Sequence, residues 1–156
     1  MNLETLKSGV TAGFAATVVL SILMIAKSFV GLMPEQNPIR DIVTVADNFT
    51  GLRLPLVAGW VGHFVIGSIV WGVIYALIEK SLPGPAVVKG LIFAVLAWLA
   101  MMIVFMPLAG QGFFGLDDGP AAIVATLALH LVYGAVLGIV YANQLGGAAI
   151  ADVRPN

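Results

Sequence analysis

The sequence contains no cysteine, only two histidines and few charged residues. Disulfides, thiolate metal sites, iron–sulfur clusters and cysteine nucleophiles are therefore excluded. Only 10% of the 156 residues are charged, whereas soluble domains carry about a quarter. The net charge of −1 provides no basic surface, so we do not expect nucleic acid as a partner. Hydrophobic residues make up 60% of the chain and the mean hydropathy is +1.05, which indicates a membrane protein embedded in the lipid bilayer.

Four apolar runs reach the length of about 20 residues that is needed to cross roughly 30 Å of hydrocarbon. We predict that they are helices, because in lipid every backbone polar group must be satisfied within its own segment. The predicted fold is all-α, a four-transmembrane-helix bundle in a single domain of residues 1–156. Spans 1 to 4 cover about residues 9–33, 55–78, 89–108 and 120–145.

Basic residues near the span ends predict the orientation, because cytoplasmic loops carry an excess of lysine and arginine. Four basic residues fall on one side and two on the other, so we expect both termini in the cytoplasm. The four are Lys7, Lys80, Lys89 and Arg154, and the two are Arg40 and Arg53.

The loop of residues 34–54 is the only sizeable polar segment. Ile39, Ile42 and Phe49 belong to an apolar set that recurs at helical spacing. This pattern is typical of a short amphipathic helix on the outer surface. A plain connector with incidental periodicity is the alternative.

The two histidines lie in segments that resemble each other. Residues 59–75 read GWVGHFVIGSIVWGVIY and residues 126–141 read TLALHLVYGAVLGIVY. His63 aligns with His130 and Gly67 with Gly134. Further along, the match continues only after a slip of one residue.

This similarity predicts two parallel helical-hairpin repeats, one over about residues 7–80 and the other over about 89–145. Both repeats start on the same side, so a pseudo-twofold axis would lie along the membrane normal. The axis would place His63 and His130 at one depth, facing each other across the bundle. Counting residues from the outer ends of their helices also gives one depth, roughly 13 Å.

Small residues share the helix faces that carry the histidines. Such stripes allow membrane helices to approach closely, so we expect these faces to contact protein rather than lipid. The stripes are Gly59, His63 and Gly67 on span 2, Thr126, His130, Gly134 and Gly138 on span 4, and Gly9, Gly13, Thr17 and Ser21 on span 1.

The stretch HFVIGSIVWGVIYALIE, residues 63–79, and the second in-span histidine, His130, resemble the YagU-like family of uncharacterised bacterial inner-membrane proteins. The resemblance covers the four-span plan loosely and the histidine helices best, and the first loop is shorter than that family suggests. It implies a multi-pass protein of the bacterial inner membrane with an unsettled role, and it supplies no catalytic residue.

Our first functional prediction is a non-enzymatic, multi-pass inner-membrane protein of uncharacterised role with a central intramembrane histidine pair. No nucleophile–base set, phosphate loop or zinc spacing is present. In the simplest interpretation the two histidines hydrogen-bond across helices and stabilise the bundle.

The alternative is a b-type haem electron carrier. His63 and His130 would be the axial ligands of the haem iron, since histidine is a common haem ligand. Gly67 and Gly134 would make room for the macrocycle, and Lys27 would lie near a propionate. Lys27 has a simpler explanation as a lysine that extends to the lipid headgroups. If it faces the bundle instead, it would pair with an anion, either the propionate or Asp41.

Transport and proton relay use the same histidines differently, since histidine titrates near neutrality. No carboxylate lies mid-membrane to continue a relay. Four spans are few for a permease, so transport would require a homodimer. An accessory subunit of a larger membrane complex is the related alternative.

Overall fold

A computed structural model describes residues 3–31 and 37–152, with the side chains of residues 118 and 147–152 left aside. The described part is helical and contains no strand. Its main elements are α1 (Leu3–Phe29), α2 (Pro38–Thr50), α3 (Leu56–Ser81), α4 (Ala86–Leu108) and α5 (Pro120–Asp152).

Helices α1, α3, α4 and α5 are long and apolar enough to cross a membrane. The predicted all-α architecture with four spans is therefore confirmed. Helix α1 begins at Leu3, earlier than predicted, and ends at Phe29. The predicted end of span 1 beyond residue 31 and the basic residue Arg154 lie outside the described residues.

The helices pack as two hairpins, α1 with α3 and α4 with α5, and the hairpins join through α1 and α5. Glycines bring the paired helices together. A Cβ atom on Gly9 would meet the carbonyl oxygen of Gly72 in the first hairpin, and one on Gly90 would meet that of Gly134 in the second. The predicted role of small residues at these crossings is confirmed.

A π-helical segment explains the slip of one residue between the repeats. Helix α3 is π-helical over Val65–Val70, whereas α5 is α-helical throughout. Gly67 and Gly72 lie five positions apart and Gly134 and Gly138 only four. A π-turn accommodates one residue more than an α-turn, so both glycine pairs remain on the face that meets the partner helix.

Helix α2 is the amphipathic helix predicted for the first loop. The Asn37 side chain caps its start by accepting a hydrogen bond from the Arg40 N–H, and Gly51 ends it in a left-handed conformation with φ 71°. Its apolar face packs on the beginning of α3, with Ile39 against Gly59. Gly59 therefore contacts α2, which corrects the prediction that it serves a contact between spans.

The two ends of the bundle differ. The α2 end, where α2 lies, contains the cavity described below. The other end, at which Lys89 lies, is here called the basic end. There the rings of Tyr75, Phe93 and Tyr141 pack in edge-on contacts. An ion pair between Lys89 and Glu79 ties the start of α4 to the end of α3 there.

Candidate functional site

A cavity of about 390 Å³ lies within the α2 half of the bundle. All four spans and α2 contribute to its wall, which is mainly apolar. His63 and His130 both line it, and the polar groups beside them come from Thr17, Thr126 and Tyr133. The cavity is thus the place where the two histidine helices meet a common space.

His63 forms a hydrogen bond with Ser21 of α1, with 3.2 Å between its Nε2 atom and the serine Oγ. The Ser21 hydroxyl donates its proton to the Thr17 carbonyl oxygen at 2.7 Å. A hydroxyl has a single proton, so Ser21 accepts from His63. The proton of neutral His63 is therefore on Nε2, and Nδ1 has the free lone pair.

His130 forms its hydrogen bond within its own helix. Its Nδ1 atom lies 2.8 Å from the Thr126 carbonyl oxygen, which can only accept. The proton of neutral His130 is therefore on Nδ1, and Nε2 has the free lone pair. The two histidines are alike in sequence but present opposite ring nitrogens.

The hydroxyl groups in the cavity wall already donate to backbone carbonyls. Thr17 donates to Gly13, Thr126 to Ala122, and Tyr133 to Gly67, the last at 2.6 Å across α5 and α3. The wall thus offers acceptor atoms and has used its hydroxyl protons.

We infer that the cavity opens sideways between α3 and α4, because these neighbouring helices are less closely packed than the other neighbouring pairs and the cavity wall on α4 is partly exposed. These two helices meet at the contacts of Trp71 and Tyr75 with Phe93, and towards the α2 end the cavity lies between them. Val104 and Leu108 form part of its wall and are 57% and 45% exposed. A molecule dissolved in the lipid could enter there without crossing the bundle.

Both π-helical segments border the cavity. One is Val65–Val70 in α3 and the other is Met101–Phe105 in α4. Gly67 and Met101, one from each segment, line the wall. Interruptions of this kind often occur at functional sites, and here they lie on the two helices that flank the opening.

Helix α2 covers the cavity at its end of the bundle through Pro38 and Ile42. Asp41, in the first turn of α2, is only 6% exposed and accepts a hydrogen bond from the Gln111 side chain at 3.3 Å. Gln111 belongs to the connection between α4 and α5. The cover is therefore attached to a second loop as well as to α3.

The residues predicted for a cofactor are only partly brought together. Gly67 lines the cavity with the histidines, whereas Gly134 packs against Gly90 in the crossing of α4 and α5. Lys27 lies half-buried in the last turn of α1 and is not among the residues that line the cavity.

The sequence did not single out the hydrogen-bond partners of the site. Ser21 is predicted only as a small residue of the span 1 stripe, and Asp41 only as an anion that would pair with Lys27. A polar residue at helical spacing from a glycine stripe was the available signal for Ser21. No sequence signal links Asp41 to Gln111, because the two belong to loops that are distant along the chain.

A family model described as "Family of unknown function (DUF6789)" matches residues 3–149. No curated protein and no solved structure matches the chain. The match includes all four helices that are long and apolar enough to cross a membrane, and every described residue that lines the cavity.

Proposed function

The chain belongs to DUF6789, a family of unknown function, and we propose that it is a membrane-embedded binding protein for a small, mostly apolar molecule. The observation that carries the proposal is the cavity with its two histidines. Its volume of about 390 Å³ falls within the roughly 300–1,000 Å³ typical of small-molecule sites.

The composition of the wall supports the proposal. Small-molecule sites are mainly apolar, with a few polar groups that fix the orientation of the ligand. Here Leu20, Ile66 and Leu129 represent the apolar part, and His63 and His130 the polar part. If the inferred opening between α3 and α4 faces the hydrocarbon, an apolar ligand dissolved in the lipid has direct access to the cavity.

The first experiment compares the small molecules that co-purify with three forms of the protein. Ala100→Phe places a ring in the cavity wall, whereas Ala128→Phe makes the same change on an exposed surface away from it. Mass spectrometry of extracts should find an apolar molecule in the wild type and in Ala128→Phe and not in Ala100→Phe. The same molecules in all three proteins would contradict the proposal.

The b-type haem carrier is the second candidate, because His63 and His130 line one cavity. Nε2 of His130 has its lone pair free, but Nε2 of His63 donates to Ser21, so iron ligation through that atom would require a new arrangement. Reduced-minus-oxidised absorption spectra test this candidate. A sharp α-band lost in His63→Ala and His130→Ala would establish haem and displace our first proposal.

We further propose that the protein is non-enzymatic, acts in the bacterial inner membrane and has both termini in the cytoplasm. The kinship with YagU-like proteins stays a prediction, as do assembly into a homodimer, a role as a small permease and membership of a larger membrane complex. The residues that support a binding role are those of the cavity; a permease would also need a path through the packed rings of Tyr75, Phe93 and Tyr141.

A further inference from the structure

We propose that the cavity selects a molecule that carries a hydroxyl group on an otherwise apolar body. This inference rests on the proposed binding function and names the chemistry that the site would recognise. It follows from the direction of each hydrogen bond in the wall.

The first step concerns the charge of the histidines. None of the described residues that line the cavity is acidic. A charged imidazolium in a mainly apolar space without a counter-ion would be costly, so His63 and His130 are neutral. Each neutral ring has one N–H donor and one acceptor nitrogen.

The second step concerns which nitrogens are used. The N–H of His63 is held by Ser21 and that of His130 by the Thr126 carbonyl. Both rings therefore have an acceptor nitrogen left for a ligand, Nδ1 in His63 and Nε2 in His130. A ligand with a hydrogen-bond donor can bind to either of them.

The third step concerns donors in the wall. The hydroxyls of Thr17, Thr126 and Tyr133 donate to backbone carbonyls. These hydroxyls therefore have no proton left for a ligand. Trp71 also lines the cavity, and its indole supplies an N–H donor. A hydroxyl group matches this set, because it donates to a histidine and its oxygen can also accept. An ether or a ketone leaves the histidine nitrogens without a partner.

The test uses para-butylphenol and para-butylanisole, which differ by a methyl group on the oxygen. Saturable binding to the protein in phosphatidylcholine nanodiscs is measured by calorimetry, and heats from empty nanodiscs are subtracted to remove partitioning into lipid. We expect the phenol to bind about tenfold more tightly, the usual scale for one buried hydrogen bond. In Ala100→Phe both probes should lose saturable binding.

Variants locate the preference within the site. His130→Leu and His63→Leu remove one acceptor each, and at least one should bring the phenol-to-anisole ratio close to one. Ser21→Ala releases the N–H of His63 so that this ring can donate to the anisole oxygen, and the ratio should fall because the anisole binds better. If a variant does not fold, the comparison of the two probes on the wild-type protein still tests the hydroxyl preference.

The outcomes separate the inference from the proposed function. Equal affinities for the two probes, with both lost in Ala100→Phe, would overturn the hydroxyl preference and leave the binding function intact. A preference that is unchanged in both histidine variants would also overturn it. If neither probe shows saturable binding to the wild-type protein, the proposed function itself is overturned.

Discussion

Three buried tyrosines have hydroxyl groups in two different situations. Tyr133 donates to the Gly67 carbonyl oxygen and thereby links α5 to α3. Among the described residues, the hydroxyls of Tyr75 and Tyr141 have no hydrogen-bond partner although both side chains are buried. An unpartnered buried hydroxyl costs free energy, so the same chemical change should have opposite effects at these positions.

We expect Tyr133→Phe to lower the free energy of unfolding by about 1 kcal/mol, because the variant loses one hydrogen bond between helices. The matched variants Tyr75→Phe and Tyr141→Phe should leave stability unchanged or raise it. Unfolding in mixed detergent micelles measures all three. A similar loss in the three variants would indicate that Tyr75 and Tyr141 also have partners, such as buried water.

At this scale the sequence predicts the polar residues of the site but not their partners. His63 and His130 were predicted because a histidine inside an apolar run is conspicuous. Their tautomers depend on Ser21 and on the Thr126 carbonyl, and those contacts depend on how far each helix is rotated. Rotation is set by packing between helices, which a single sequence does not specify.

At the scale of elements, the close crossings pair a glycine of a predicted stripe with one outside the stripes, Gly9 with Gly72 and Gly134 with Gly90. Gly90 lies where a Cβ atom would meet the Gly134 backbone, whereas Gly146 in α5 has open space around it. We predict that Gly90→Ala lowers the free energy of unfolding by roughly 1–3 kcal/mol through overpacking.

Gly146→Ala is the matched control, because it makes the same change in a helix without a close neighbour, and it should be neutral or stabilising. Thermal unfolding followed by circular dichroism compares the two variants. Equal midpoints would argue against a close crossing of α4 and α5 at Gly90.

The π-helical segment makes a second prediction about elements. Deletion of Ile69, which lies within Val65–Val70 and is half-exposed, should convert this part of α3 to a regular α-helix. The spacing of Gly67 and Gly72 would then equal that of Gly134 and Gly138, so the helix should still pack and the protein should fold.

Deletion of Ile139 is the corresponding control in α5, which has no extra residue to lose. There the deletion rotates the following residues by about 100° relative to the preceding ones, as expected for 3.6 residues per turn. Yield and size-exclusion profiles should show a folded Ile69 deletion and a misfolded Ile139 deletion. If the Ile69 deletion misfolds and the Ile139 deletion folds, the fold requires the π-turn.

At the scale of the whole molecule, apolar run length predicted the four spans well. Hydrocarbon thickness fixes the length of a span, and the spans predicted over about residues 55–78 and 120–145 correspond to apolar helices over Leu56–Ser81 and Pro120–Gly146. The arrangement of the hairpins was not predictable. The opening between α3 and α4 arises because α1 and α5 form the contact between repeats, and nothing in the hydropathy pattern favours one pair over the other.

The orientation can be tested on single-cysteine variants, because the native chain has no cysteine that would react in the background. Asn48→Cys places a thiol in α2 and Ser81→Cys places one at the basic end. If both termini are cytoplasmic, a membrane-impermeant maleimide should label Asn48→Cys in spheroplasts and label Ser81→Cys only after lysis. Labelling of Ser81→Cys in intact spheroplasts would reverse the orientation.

The π-turn in α3 also bears on the ancestry of the gene. If the two hairpins descend from one duplicated ancestor, a codon was gained in the first copy or lost from the second after the duplication. The change altered one histidine helix and spared the other, so the copies stopped being interchangeable. A single-codon event is therefore enough to explain the different glycine spacing of the two histidine helices.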